Sequence, residues 1–175
     1  MSNFWFTSDT HFGHSKIIEY CNRPFSNADE MDETMIERWN SVVKPNDTVW
    51  HLGDFAFHKS QEEITALLQR LNGTKNLIAG NHDDAKTRYA AWNDVRALVE
   101  LSLGNKTKVT LCHYALRVWN KSHHGALHFY GHSHGTLPGD RQSLDVGVDC
   151  WDYTPVNIEQ IRERLKTQPE RGKEF

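Results

Sequence analysis

Short apolar runs alternating with amphipathic segments predict an α/β domain. Three observations carry that expectation. Six apolar runs, over residues 4–7, 48–52, 76–79, 109–112, 127–130 and 144–148, have strand length and several end at a glycine or a polar cluster. Long segments between them place apolar residues at helical spacing behind capping signals. Aspartate, asparagine and histidine gather just past the strand ends, where open α/β sheets bind ligands.

The elements follow in order. FWFT (4–7) is the first strand. In SNADEMDETMIERWNSVV, Met31, Met35, Ile36, Trp39 and Val42 share one helical face, with Asn27 and Glu30 as a capping pair. After the strand at 48–52, Ser60 and Glu63 form an S-x-x-E box ahead of Ile64, Leu67, Leu68 and Leu71, and Gly73 marks a C-terminal cap. Residues 84–92 read as a short helix after the strand at 76–79. Three more strands follow, and Ile158, Ile161 and Leu165 mark a last helix. A chain of 175 residues fits one domain, expected over 1–166, with a polar tail at 167–175. No repeat or linker interrupts it.

Composition excludes several classes. Mean hydropathy of -0.68 and the absence of a run near the ~18 apolar residues of a spanning helix argue against a membrane protein. The opening MSNFWFT carries no basic-then-apolar leader, so a cytoplasmic location is expected. Cys21, Cys112 and Cys150 form an odd set without CxxC spacing, which suits reduced thiols. A net charge of -3 with scattered lysines and arginines argues against extended nucleic-acid binding. Histidine is the unusual residue, with eleven copies.

Five strands each deliver candidate metal donors just past their ends: Asp9 and His11; Asp54; Asn81 with His82; His113; and His132 with His134. Taking these segments as extended, residues i and i+2 point the same way, so Asp9 with His11 and His132 with His134 can each converge on one side. Two aspartates, one asparagine and four of these five histidines already exceed a single tetrahedral site and suit two ions sharing a bridging carboxylate. Mixed oxygen and nitrogen donors without cysteine suit manganese foremost, with zinc, iron, nickel or magnesium as alternatives, and argue against a structural zinc site. Two divalent ions against two carboxylates leave about +2, a charge that attracts phosphate.

The ordered series Asp9-x-His11, Gly53-Asp54, Gly80-Asn81-His82-Asp83, His113 and Gly131-His132-x-His134 resembles the calcineurin-like metallophosphoesterase superfamily over about residues 4–150. The resemblance implies a two-sheet β-sandwich flanked by helices, in four αββα layers. It implies that Asp9, His11 and His134 hold one ion, that Asp54 bridges, and that Asn81, His113 and His132 hold the second. His82 then stands as the non-ligand histidine near the leaving group. The implied activity is two-metal hydrolysis of small phosphate esters by a metal-bridged hydroxide, with phosphodiesters favoured. Phosphomonoesters, or a catalytically silent metal-binding scaffold for a protein partner, are the alternatives. GDFAFHK and GNHDD lack the arginine and aspartate of the protein-phosphatase branch, and Phe57 stands where purple acid phosphatases carry a tyrosine. No large insertion forms a cap, so an open pocket is expected.

Other residues carry competing assignments. His14 either faces substrate or simply opens a helix at HSKIIEY; Arg117 either grips a phosphate oxygen or is a surface charge. His51 and His128 fit core positions, while His58, His123 and His124 fit loops. The tryptophans fit core or interface packing. Asp145 and Asp149 close the last strand near the site with no assigned chemistry.

Overall fold

In the computed structural model, residues 3–57, 59–104 and 106–172 are described. His58, expected in a loop, and the last three residues of the tail lie outside them. Two sheets form the core. In the first, β1 (Phe4–Thr7), β2 (Thr48–His51), β3 (Thr74–Ile78) and β4 (Asp94–Arg96) run parallel, and β9 (Val156–Asn157) pairs antiparallel with β1, giving the order β4-β3-β2-β1-β9. In the second, β5 (Leu98–Ser102) pairs antiparallel with β6 (Lys108–Cys112), and β6, β7 (Leu127–Tyr130) and β8 (Ser143–Asp145) run parallel.

Period-two alternation builds the layers. Phe6, Trp50, Leu52 and Ile78 of the first sheet pack with Val109, Leu111, Phe129 and Leu144 of the second. Their neighbours Trp5 and Val49 face the opposite way, onto α2 (Ala28–Val42) and α3 (Gln61–Arg70), which contribute Met31, Met35, Trp39, Ile64 and Leu68. The rings of Phe6 and Phe129 meet edge to face at 5.1 Å across the two sheets. Phe129→Ala should therefore cost about 3–5 kcal/mol, because the cavity would open between two rigid sheets; urea unfolding measures it.

The helices start where their caps predict. Asn27 Oδ1 accepts from Glu30 N at 2.9 Å, although Glu30 turns back onto Ser26 N instead of completing a box. Ser60 and Glu63 make the reciprocal box. α1 (Ser15–Tyr20) opens after His14, and α5 (Ile158–Lys166) buries Ile161 and Leu165. Among the described residues no helix is long and apolar enough to cross a membrane.

Several elements differ from expectation. The helix expected over 84–92 is a single turn, α4 (Ala85–Arg88), closed by Trp92 Nε1 donating to Thr87 O. The strand expected over 144–148 ends at Asp145, and a 3-10 turn follows at Val148–Cys150. β4, β5 and β9 were not expected: β4 and β5 are partly exposed and contain charged residues, and β9 has two residues. The three cysteines carry free thiols.

Candidate metal centre

The strand ends turn sharply instead of running on. Asp9, His11, Asp54, His132 and His134 all have φ between 46° and 66°. This left-handed region costs an ordinary L-residue roughly 1–2 kcal/mol and is best tolerated by Asp, Asn and His. Such strain gathers at functional sites when the surroundings hold it in place. Here the holding is visible: Asp9 N donates to Gly53 O (2.9 Å), His11 N to Asp54 O (3.0 Å) and Phe12 N to Phe55 O (2.9 Å). The extended backbone expected from sequence is therefore corrected, although Asp9 and His11 still converge on one group. His132 and His134 diverge into two different groups.

Those groups are Asp9 with His11 and His134, and Asp54 with His113 and His132. In each, the candidate donor atoms lie within 4.8 Å of one another. Asp54 stands between them, its Oδ2 3.7 Å from His11 Nε2 and 3.5 Å from His113 Nε2. Asn81 Oδ1 lies 3.0 Å from His113 Nε2. A third cluster, Cys21 with His134 and Asp149, overlaps the first, but its Asp149 is already committed to Arg23.

Hydrogen bonds suggest which ring atoms face inward. His113 Nδ1 is 2.7 Å from Leu52 O; donating to that carbonyl leaves Nε2 with a lone pair towards Asn81 Oδ1 and Asp54 Oδ2. Three acceptors then face a common gap. Nearby, Asp9 Oδ1 and His11 Nε2 are buried with no hydrogen-bond partner, a costly condition that calls for a missing ligand. This donor set and these orphaned atoms fit divalent cations.

Burial dominates the electrostatics. It pushes the Asp9 carboxyl up to about 8, with His134 opposing the rise. It lowers His11 to about 2, aided by the positive charges of His134 and Arg23, so the ring is neutral, the form that binds metal. Burial also lowers His132, with His113 adding to the effect. For His134, burial works against the charged form, but the hydrogen bond to Asp149 and the charge of Asp9 outweigh it and raise the ring.

Three supporting residues were not assigned from sequence. Asp83 Oδ2 accepts from Asp54 N (2.9 Å) and Gly80 N (2.8 Å), and its Oδ1 from Phe55 N (2.9 Å), clamping two donor loops together. Arg23 donates from Nε and Nη2 to the Asp149 carboxylate, and reaches Asp9 O (2.7 Å) and Thr10 O (3.0 Å). Asp149 Oδ2 lies 2.7 Å from His134 Nδ1 and orients that ring. The aspartate after GNH was the signal available for Asp83; Arg23 between Asn22 and Pro24 looks like a loop charge. Asp149→Asn should weaken metal affinity about 10–100-fold while the chain stays folded, as for other partners that orient ligating histidines; calorimetric titration with Mn²⁺ checks it.

Close packing explains the glycines beside the donors. A Cβ on Gly53, whose φ is +101°, would stand 2.5 Å from His113 Nδ1 and 2.7 Å from Gly80 Cα. One on Gly131 would run into Ser8 Oγ and Asp9 Oδ2.

The remaining residues separate. His82 is exposed; its ring is 5.8 Å from that of His11 and 5.1 Å from that of Phe57, and its backbone N donates to Asp54 Oδ1. His14 is both the N-cap of α1 and a neighbour of the centre, stacked on Phe57 at 4.1 Å with its Nδ1 3.4 Å from His11 Nδ1. Arg117 is exposed in the loop after β6, and among the described residues its side chain shares no hydrogen bond or ion pair with the cluster. His51 is buried and neutral: burial lowers it to about 3, Nδ1 accepts from Gly53 N, and Nε2 pairs with Thr10 Oγ1. His128 is likewise buried, accepting from Leu116 N. His123 and His124 lie exposed in a 3-10 turn. Trp5 and Trp50 are core residues, and Trp151 lies beneath Arg164.

Comparison with known proteins places relatives along nearly the whole chain. An uncharacterized protein of Methanocaldococcus jannaschii is 34% identical over 164 residues, covering 92% of this chain and 90% of that protein. The Gene 66 protein of Mycobacterium phage D29 is 32% identical over 197 residues, covering 94% and 96%. The crystal structure of a protein of unknown function from Aquifex aeolicus superposes with a TM-score of 0.74 at 22% identity, covering 94% of this chain and all of that one, and so shares the fold. Residues 2–146 match the calcineurin-like phosphoesterase family, to which this chain belongs.

Proposed function

We propose that this chain is a two-metal hydrolase of small phosphate esters, with phosphodiesters preferred. One observation carries the proposal: Asp54 Oδ2 stands within 4 Å of a ring nitrogen from each of the two donor groups, 3.7 Å from His11 and 3.5 Å from His113, as a bridging carboxylate must. Asp9, His11 and His134 are assigned to one ion, and Asn81, His113 and His132 to the other. Two divalent ions held there, manganese being favoured by the mixed donors, would supply Lewis-acid activation of a phosphoryl oxygen and acidify water to near neutral pH.

The chain's own residues do the rest. Asp83 and Arg23 hold the donor loops in register, so little reorganisation is needed when substrate arrives. Exposed His82 is assigned to hold a proton on its imidazole and pass it to the leaving oxygen. Phe57 lies beside His82, while Tyr114, half exposed, packs 4.9 Å from the His132 ring. These aromatic flanks support a diester with an organic group on each side. His14, stacked on Phe57, is assigned to the same substrate flank.

Hydrolysis of bis(p-nitrophenyl) phosphate and p-nitrophenyl phosphate by the manganese-loaded chain tests the proposal. A higher kcat/KM on the diester, abolished by chelation, is expected; preference for the monoester would transfer the assignment to a phosphomonoesterase, and activity surviving chelation would end both. His82→Gln should slow phenyl esters about 10²-fold or more but p-nitrophenyl esters much less, because only the poorer leaving group needs the proton. Equal slowing of both would remove His82 from that role.

A further inference from the structure

A cavity of about 620 Å³ lies at the end of the second sheet remote from the metal centre. It is bounded by the turn before β6, the start of β7, the approach to β8 and the last turns of α5. His113 and His132 leave from the opposite ends of β6 and β7. At ~3.3 Å per strand residue, roughly 20 Å separates the two sites.

The lining combines two chemistries. Leu127 and Leu165 provide an apolar wall, while Lys106, Arg141, Arg162 and Lys166 bring four cations together in a chain of net charge -3. Among the described residues no carboxylate lines the cavity. Arg141 pairs with Glu170 and Lys166 with Glu163, but all four side chains are more than half exposed, so these pairs yield readily to a ligand. Arg162 donates to Thr107 Oγ1, which fixes its guanidinium at the cavity, and Lys106 stands exposed on the turn.

We propose that this cavity binds a small amphipathic anion, a phosphate ester or a carboxylate with an apolar body, independently of the metal centre. The planar guanidinium of Arg162 suits two oxygens of such a head group, with Lys106 adding a point charge. Leu127 and Leu165 receive the apolar part. The volume falls within the range of small-ligand sites, roughly 300–1,000 Å³. A nucleic-acid strand would need a stripe of cations along a surface, whereas these converge on one cavity.

Fluorescence titration of the full metal-loaded chain with 8-anilinonaphthalene-1-sulfonate, an amphipathic anion that is not a phosphate ester, tests the proposal. Saturable binding at one site is expected, unchanged by chelation and weakened about tenfold or more by Arg162→Gln and severalfold by Lys106→Gln, as loss of a charged hydrogen bond requires. Displacement by phenylphosphonate would mark a phosphate ester as the ligand, and displacement by octanoate a carboxylate. Both variants should keep metal-dependent hydrolysis. If Arg162→Gln fails to fold without its Thr107 bond, Lys106→Gln on the exposed turn decides alone. Binding that does not saturate, is lost on chelation, is unaffected by the substitutions or is displaced by neither competitor overturns the proposal.

Discussion

Asp54→Asn is expected to lower metal-dependent phosphoester hydrolysis by about 10³-fold or more, since ion clamping contributes several kcal/mol and each 1.36 kcal/mol is tenfold. The substitution keeps the volume of a side chain that is only 2% exposed, and its amide oxygen can still accept from His82 N, as Asp54 Oδ1 does at 2.9 Å. What changes is the atom facing His11 Nε2 and His113 Nε2. An amide NH₂ there donates into ring lone pairs that the carboxylate leaves open to cations. Metal content and kcat/KM, measured together, should fall together while the thermal transition of the metal-free chain stays in place. Activity within tenfold of the parent would show that Asp54 does not join two ions.

Asp9→Asn should show two opposite effects. Activity and metal binding should fall about 10²-fold or more, because one ion loses its charged oxygen donor. Yet the metal-free variant should be more stable than the parent at pH 8. Burial raises the Asp9 carboxyl from 3.8 to about 8, so its contribution to stability is complete below pH 3.8 and is lost as pH rises through 8. Asparagine cannot ionise and carries no such loss, and it can keep the bond from His132 N that Asp9 Oδ2 accepts at 2.9 Å. The neighbouring His11, lowered to about 2 chiefly by burial, acts in the other direction, contributing stability above pH 6.5 that is lost as pH falls towards 2. It is present in both proteins and largely cancels in their comparison. Thermal unfolding in chelator at pH 5 and pH 8 should show the variant's advantage growing with pH. With Mn²⁺ at a concentration that saturates the parent the order should reverse, because the parent gains more from ligand binding. An advantage that is the same at both pH values would contradict the burial account.

The strand-end placement of Asp9, His11, Asp54, Asn81, His113, His132 and His134 was legible because five apolar runs each end at a polar residue type that core packing does not require. The turn that aims these residues was not. Alternation of side chains describes extended backbone, whereas these strand ends take left-handed φ, after which His132 and His134 part into separate groups while Asp9 and His11 stay together. Arg23 and Asp149 escaped for a different reason: their contact spans 126 residues, and no local period announces a bond between a loop and a distant 3-10 turn. Asp83 was visible in GNHDD, but its task, accepting three backbone N–H groups, depends on Asp54 and Gly80 lying side by side. Strand β5, LVELS, was missed because an edge strand exposed at alternate residues presents little apolar surface. The two-sheet sandwich, which no single pattern in the strands specifies, came from the ordered motif series.

Anomalous diffraction from a crystal of the full chain grown with Mn²⁺ tests the central claim most directly. The account requires two manganese peaks per chain, one touching Asp9, His11 and His134, the other Asn81, His113 and His132, with Asp54 in contact with both. A single peak, or a pair that Asp54 does not join, would contradict it.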